Sequence, residues 1–410
     1  MPRFLVLQAA RFGDLVQTKR LILSLEQEGE VHLAVDAGLV PLARLLFPGA
    51  IVHGLRLHGQ PDVCALAENK DVLTLWRELE FQTVYNCNFS ELTAALCRIF
   101  EPGRVMGNRP AAGGILRSPW ARMIFRLSEQ RVLAPLNLID FWGHLAPCPI
   151  PAAAVNPPAQ AGGQGLGVVL AGRESRRSLP LPLLAQVVHA IFQIKGGPRV
   201  HLLGTRAEQP AARRLIRLLP ARMQGRVEDL SGKTDWQGLA EAVQGLDALI
   251  CPDTGIMHLA AHLGTPILAF FLSSAWCHET GPYGEGHLVW QAATQCSPCL
   301  ESAPCPRGTA CLAAFASDSL LRSLAFALQG QTHTEGDVPP GLQIWRSGLD
   351  ALGGRFSLLA GQDAHAAERL AARAVLQEFL HFSHLEGVQT DQRQRLVPDS
   401  EWMLPPWRYA

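Results

Sequence analysis

Two apolar patterns alternate along most of this chain. Short, nearly continuous apolar runs are followed by longer stretches with apolar positions at helical spacing. In the first half the runs predict strands near 4–7, 31–35, 50–54 and 82–87, and the periodic stretches predict helices near 15–28, 38–47, 68–79 and 90–100. Residues 119–131 read as helical and 134–150 as less regular. The stretch from Pro147 to Gly165 is rich in Pro, Ala and Gly and reads as an interdomain linker. The alternation then restarts, with strands at 166–170, 199–203, 226–230, 246–251 and 267–271 and helices near 181–194, 208–219, 235–244 and 256–263. Strand and helix in strict turn predict parallel sheets with crossover helices. After about 330 the pattern changes to a polar segment at 331–341, a helix at 363–386 and an aperiodic end at 387–410.

The most informative turn lies between the strand ending near Cys251 and the helix Ile256–Leu263. Its residues are Cys251-Pro252-Asp253-Thr254-Gly255. Asp253 or Thr254 can cap the helix, Gly255 allows a ligand close to the backbone, and Gly264 with Pro266 ends the element. A helix N-terminus at the carboxyl end of a parallel strand favours phosphate. Asp253 and His258 add side chains at that mouth; read alone, the turn is also an ordinary capped strand-to-helix connection. The N-terminus repeats the design. Phe4–Leu7 is a strand, Gln8–Asp14 a loop in which Gly13 permits a tight turn, and Asp14 stands at the start of the next helix. A carboxylate there is stabilised by the helix dipole, and Asp14 reads either as an N-cap or as a base.

Taken together, Gly13-Asp14-Leu-Val-Gln-Thr18, Ser231-Gly-Lys-Thr234 and Asp253-Thr-Gly-Ile-Met-His258 resemble glycosyltransferase family 9, the bacterial lipopolysaccharide heptosyltransferases and their relatives. The resemblance runs in order over roughly residues 3–290. It implies an α/β fold of GT-B type, two Rossmann-like domains facing across a cleft. It also implies inverting transfer of a sugar, heptose in the first instance, from a nucleotide diphosphate donor such as ADP-heptose to a lipopolysaccharide-type or other glycan acceptor. Residues 1–155 would be the acceptor-side domain, 156–330 the nucleotide-sugar domain, and 331–410 an extension whose helix packs back on the first domain. Asp14 would be the catalytic base.

The donor site implied by the resemblance comprises Arg177, Glu208, Thr234, Asp253, Thr254, Gly255 and His258. The loop Ala171–Pro180 departs from the family pattern: Arg177 stands at a position usually held by Lys, and Leu179 at one often aromatic. Arg can bind a diphosphate through two parallel hydrogen bonds but is not equivalent to Lys. Arg173 and Arg176 flank it, and the three together also read as a solvated basic loop. Glu208 would take the ribose unless it only caps the next helix, and Gly232-Lys233-Thr234 would meet the base unless Thr234 is a plain N-cap. The acceptor side would draw on the loop near 86–92, on Gly13, and on Asn108, Arg109 and Arg117 within 107–118. Fixed dipoles can stabilise departing phosphate, so catalysis is expected to require no metal cofactor. Two other readings stay open: a GT-B transferase of another sugar specificity, and a non-catalytic nucleotide-binding relative, the latter disfavoured by Asp14.

Composition narrows the partners. Lys and Arg number 36 against 36 Asp and Glu, which leaves no basic field for nucleic acid. Met-Pro-Arg-Phe leads straight into a strand with no apolar leader, so no cleaved signal is expected. Residues 254–277 lack charged side chains, but glycine, histidine and proline divide them into helix and strand rather than a membrane span. The expected location is the cytoplasm, with peripheral contact at the inner face of the inner membrane. The 10 cysteines then belong to a reducing compartment. Cys296, Cys299, Cys305 and Cys311 cluster with metal-like spacing and are candidates for structural zinc or iron–sulfur, for disulfides, or for free thiols. His278 and His287 nearby read as surface groups.

Overall fold

Phe4 to Leu7 are buried throughout, as a strand covered on both faces requires. In the computed structural model that strand, β1 (Arg3–Leu7), lies inside a sheet with β2 (Glu30–Asp36), β3 (Ile51–Leu55), β4 (Thr83–Asn86), β5 (Val105–Ala111) and β6 (Gly114–Arg117). The order is β3-β2-β1-β4-β5-β6. All neighbours are parallel except β6, which returns antiparallel on β5. The structure describes residues 1–9, 11–57, 63–111, 114–170, 175–300, 303–305, 307–316, 318–330 and 338–382.

The second sheet holds β7 (Leu166–Val169), β8 (Val200–Leu203), β9 (Val227–Asp229), β10 (Ala248–Cys251), β11 (Ile267–Phe271), β12 (Leu288–Ala292), β13 (Leu342–Leu349) and β14 (Gly354–Ala360). Its order is β14-β13-β12-β11-β10-β7-β8-β9, parallel except where β13 meets β12 and β14. Leu166, Val168, Ile250, Phe270 and Trp290 form its core with Val187, Val188 and Ile191 of the helix Leu181–Ile194. Both sheets are doubly wound. Strand order reverses between β1 and β4 in one and between β7 and β10 in the other, and such reversal points open a crevice at the strands' carboxyl ends.

The chain divides into two units, Met1–Pro151 with the chain from Leu370, and Ala152–Arg369. The segment from 331 is therefore not one extension. β13 and β14 add to the second sheet, while the helix Ala366–Phe382 leaves that unit at Leu370. Beyond that point Arg373 donates to the Pro135 carbonyl (2.6 Å), and Phe379 stacks on Trp120 of the first unit. The aperiodic end 387–410 lies outside the described residues.

Elements also differ locally from expectation. The helix expected over 15–28 is two, Phe12–Gln17 and Lys19–Glu26, broken at Thr18, whose hydroxyl donates to the Leu15 carbonyl (2.6 Å). Residues 134–150 contain the short helix Leu138–Gly143. It supplies Asp140 to a buried ion pair with Arg20 at 2.6 Å, and Arg20 Nε also donates to the Ile150 carbonyl (3.1 Å). Removing one partner of such a pair typically costs about 3–5 kcal/mol, so this lock fixes the helices that follow the Asp14 turn.

Candidate functional site

In the second unit, β10 ends at Cys251 and the helix Gly255–Leu263 begins after the cap Thr254. Thr254 is in extended conformation, and its hydroxyl accepts from the Met257 amide (3.4 Å). The helix ends at Gly264, whose left-handed φ of 76° suits glycine. Thr254, not Asp253, is thus the cap, and Asp253 is released for other work.

Asp253 is 8% exposed and both its oxygens are engaged. Oδ2 accepts from the Arg177 guanidinium (2.5 Å) and from the Thr280 hydroxyl (2.9 Å). Oδ1 stands 3.6 Å from His258 Nε2, a Coulombic contact rather than a hydrogen bond. Burial alone would raise the Asp253 carboxyl, but the Arg177 charge, His258 and Thr280 outweigh it and hold the pKa below its usual value. Asp253 is therefore an ionised hub at the N-terminus of a nine-residue helix. Arg177 comes from the β7 side of the reversal point and is 12% exposed in its side chain. It is occupied by Asp253 rather than standing ready for an anion. Arg176 turns the other way and donates to the carbonyls of Ala303 (2.7 Å) and Leu300 (2.9 Å). Leu179 is buried in the core, and Ala171–Glu174, with Arg173, lie outside the described residues.

Glu208 closes a capping box: its Oε2 accepts from the Thr205 amide and hydroxyl, both at 2.6 Å. The capping alternative for Glu208 therefore holds in this structure. The opposite applies to Thr234. Asp235 caps the helix Trp236–Gln244 by accepting from the Gly238 amide (2.8 Å), which leaves Thr234 outside the cap. The Gly232 turn, at φ 64°, lies against the Arg206 backbone, where a Cβ would come within 2.7 Å. Glu208 and Thr234 thus flank one stretch of the sheet edge.

In the first unit, Asp14 is neither a loop residue nor an N-cap. It is the third residue of the helix Phe12–Gln17, after Arg11 in the cap position, and Gly13 is itself helical. Asp14 is half-buried with its Oδ2 shielded from solvent. The backbone leading to it is fixed by side-chain amides. Asn88 accepts from the Ala9 amide (2.9 Å) and donates to the Leu7 carbonyl (2.8 Å). Asn86 donates to the Asn108 carbonyl (2.7 Å), and Asn108 donates to the Asn88 carbonyl (2.9 Å). Asn108 is thus a buried brace and not a phosphate ligand. Lys19, one turn beyond Asp14, is pushed down to about 8 by burial. Arg109 and Arg117 do not form one patch: Arg117 pairs in register with Asn108, so Arg109 points to the other face of the ribbon. The Arg117 guanidinium lies 4.1 Å from the centre of the Phe125 ring.

Among the described residues no three His, Cys, Asp or Glu side chains are placed to hold a metal, and all 10 cysteines are free thiols. Cys296, Cys299 and Cys305 lie close enough to Cys311 for their charges to act on it, and these three also have local partners. Cys299 meets the Ser273 hydroxyl at 3.3 Å, Cys296 meets Thr294 at 3.5 Å, and Cys305 accepts from the Thr309 amide at 3.3 Å. Amides donating to Cys305 draw its pKa down, while burial pushes Cys311 up. His278 and His287 are buried, at 8% and 0% exposure, because β13 and β14 cover a region that reads as an open edge in the sequence.

Residues 187–307 match the model of glycosyltransferase family 9 (heptosyltransferase). By that segment the chain is similar to glycosyltransferase family 9. No curated protein matches it in sequence. Among solved structures, the E. coli ADP-heptose lps heptosyltransferase II superposes with a TM-score of 0.52 at 16% identity, covering 68% of this chain and 87% of that one. A family 9 glycosyltransferase from Veillonella parvula gives 0.56 at 14%, covering 72% and 88%. E. coli heptosyltransferase WaaC, solved with ADP, gives 0.54 at 16%, covering 71% and 93%. Identities this low speak for fold, and the fold is the GT-B type with two parallel-dominated sheets. The family 9 segment contains Glu208, Thr234, Asp253, Thr254, Gly255 and His258, and does not reach Arg177 or Asp14. It also contains Thr280, whose place before Gly281-Pro282 is ordinary turn chemistry and carries no site signal in the sequence. Among the described residues no helix is long and apolar enough to cross a membrane.

Proposed function

We propose that this protein is a family 9 glycosyltransferase that moves a heptose, with inversion, from a nucleoside diphosphate donor of the ADP-heptose kind to a lipopolysaccharide-type or other glycan acceptor. The observation that carries this reading is the ionised Asp253 hub at the helix N-terminus of the second sheet's reversal point, inside the family segment. The amides after Thr254 and the helix dipole would take the diphosphate. Arg177 would share its charge between Asp253 and phosphate, and His258 would meet phosphate or sugar. Glu208 and Thr234 would line the nucleoside end. Asp14, on the first unit, would be the base.

The step is a substitution at the anomeric carbon. The acceptor oxygen forms a bond to it and loses its proton to Asp14. The bond from that carbon to the β-phosphate oxygen breaks, and its electron pair leaves with the nucleoside diphosphate. Fixed N–H dipoles aimed at the departing phosphate supply stabilisation without a metal ion. Action at the inner face of a membrane, where lipid-linked glycans are met, is part of the same reading. A donor sugar other than heptose is the second reading, favoured by Arg177 and Leu179 at positions where the family pattern differs.

A panel of nucleoside diphosphate sugars tests both readings. The true donor at 100 times its dissociation constant should add about 2.7 kcal/mol of stability, raise the melting temperature, and release its nucleoside diphosphate on addition of acceptor. The product should carry the inverted anomer. If no nucleoside diphosphate sugar moved the melting temperature, or if configuration were retained, the proposal would fall.

A further inference from the structure

Thr280 ends the short helix Cys277–Thr280, on the loop between β11 and β12. Its hydroxyl donates to the same Asp253 oxygen that receives Arg177. Three contacts fix the turn that carries it. The Cys277 amide donates to Gln291 Oε1 (3.1 Å), and the fully buried Gln291 returns a hydrogen bond to the Ala275 carbonyl (3.1 Å). His278 packs edge-on against Trp345 of β13, ring centres 4.8 Å apart, and against Phe356 of β14, 5.7 Å apart. Gly281 closes the turn where a Cβ would come within 2.4 Å of both the Phe356 ring and the Cys277 carbonyl. The turn is thus pressed between β12 and the β13–β14 hairpin, which lies outside the matched family segment 187–307.

We propose that Thr280 is a positioning residue of the donor site, holding the Asp253 carboxylate in the rotamer that presents Arg177 and His258 to the diphosphate, and that the β13–β14 hairpin acts on the site through it. The inference rests on the donor-site reading above. Asp253 has one oxygen shared by two donors and one facing an imidazole, so its rotamer is set by those three groups together. Without the hydroxyl, Oδ2 is held by Arg177 alone and the carboxylate can swing with the guanidinium. The hairpin supplies the pressure that keeps Thr280 within reach. That gives a role in the donor site to strands contributed from well beyond the family segment.

Calorimetry with ADP, UDP and GDP as probes tests it, on the full chain, with far-UV circular dichroism and melting curves confirming that each variant is folded. Wild type should bind at least one of the three. Thr280→Val should weaken that binding about tenfold, the worth of one hydrogen bond to a charged group, and Thr280→Ser should restore it. Phe356→Leu should weaken binding in the wild-type background and add almost nothing in Thr280→Val, because both act through one contact. Wild-type affinity in Thr280→Val, or equal loss in the Ser and Val variants, would overturn the positioning role while leaving the donor site standing. Fully additive losses would overturn the route through the hairpin. Failure of wild type to bind any of the three would remove the donor-site reading and this inference with it.

Discussion

Asp253 and His53 show what burial does to single ionisable groups, with opposite results. Asp253 stays charged because Arg177, His258 and Thr280 compensate it. His53 has no such compensation. Burial, with a smaller push from His32, holds its pKa down at about 4, and its Nε2 lies 2.8 Å from His32 Nδ1. His287, fully buried, is also driven down to about 4. In the unfolded chain each histidine takes up its proton near 6.5. Between about pH 6.5 and 4 the unfolded state therefore binds more protons than the native state, and stability falls as the pH falls. Each histidine should contribute up to about 3 kcal/mol of that loss, to order of magnitude, with none above about pH 7.5. The denaturant midpoint measured across this window should drop steeply toward pH 4; a flat profile would contradict the buried neutral histidines. At this scale the sequence revealed the types at the site but not their partners. Asp253, Thr254 and His258 are legible because they follow a strand and open a helix. The pairing of Asp253 with Arg177 and Thr280 is not, since those residues lie 76 and 27 positions away.

Among the elements, the parallel strands were the legible part, because strands buried on both faces leave unbroken apolar runs such as Phe4–Leu7 and Ile267–Phe271. β12, buried along its whole length, was missed, as were β5, β6, β13 and β14; the last four share a physical reason. They are edge or antiparallel strands with mixed burial, and their polar positions dilute the pattern. Helix starts were ambiguous wherever two capping residues stand side by side. Thr234 and Asp235 are such a pair, and the structure assigns the cap to Asp235. Asp235→Ala should then cost about 0.5–2 kcal/mol, while Thr234→Ala should stay within about 0.5 kcal/mol. Urea melts of the two variants decide this. The reverse ranking would return Thr234 to the cap and remove it from the nucleoside site. The cysteine loop was legible as a cluster: Cys296, Cys299 and Cys305 lie close enough to Cys311 for their charges to act on it.

For the whole molecule, two doubly wound units were readable from the alternation and the Pro- and Gly-rich stretch before β7. How the chain's last third is shared between the units was not, because sheet membership of β13 and β14 depends on pairing rather than periodicity. The central functional claim divides labour in the same way, with the donor on the second unit and the base, Asp14, on the first. Asp14→Asn tests it most directly. Asn keeps the size and part of the hydrogen bonding at the third helical position, so the fold should survive and donor affinity should stay within a few-fold. General-base catalysis is worth typically about 10²–10⁴-fold, so turnover with the true donor and acceptor should fall at least about a hundredfold. Turnover near wild type would contradict the assignment of Asp14 as base, and loss of donor binding would place Asp14 in the donor site instead.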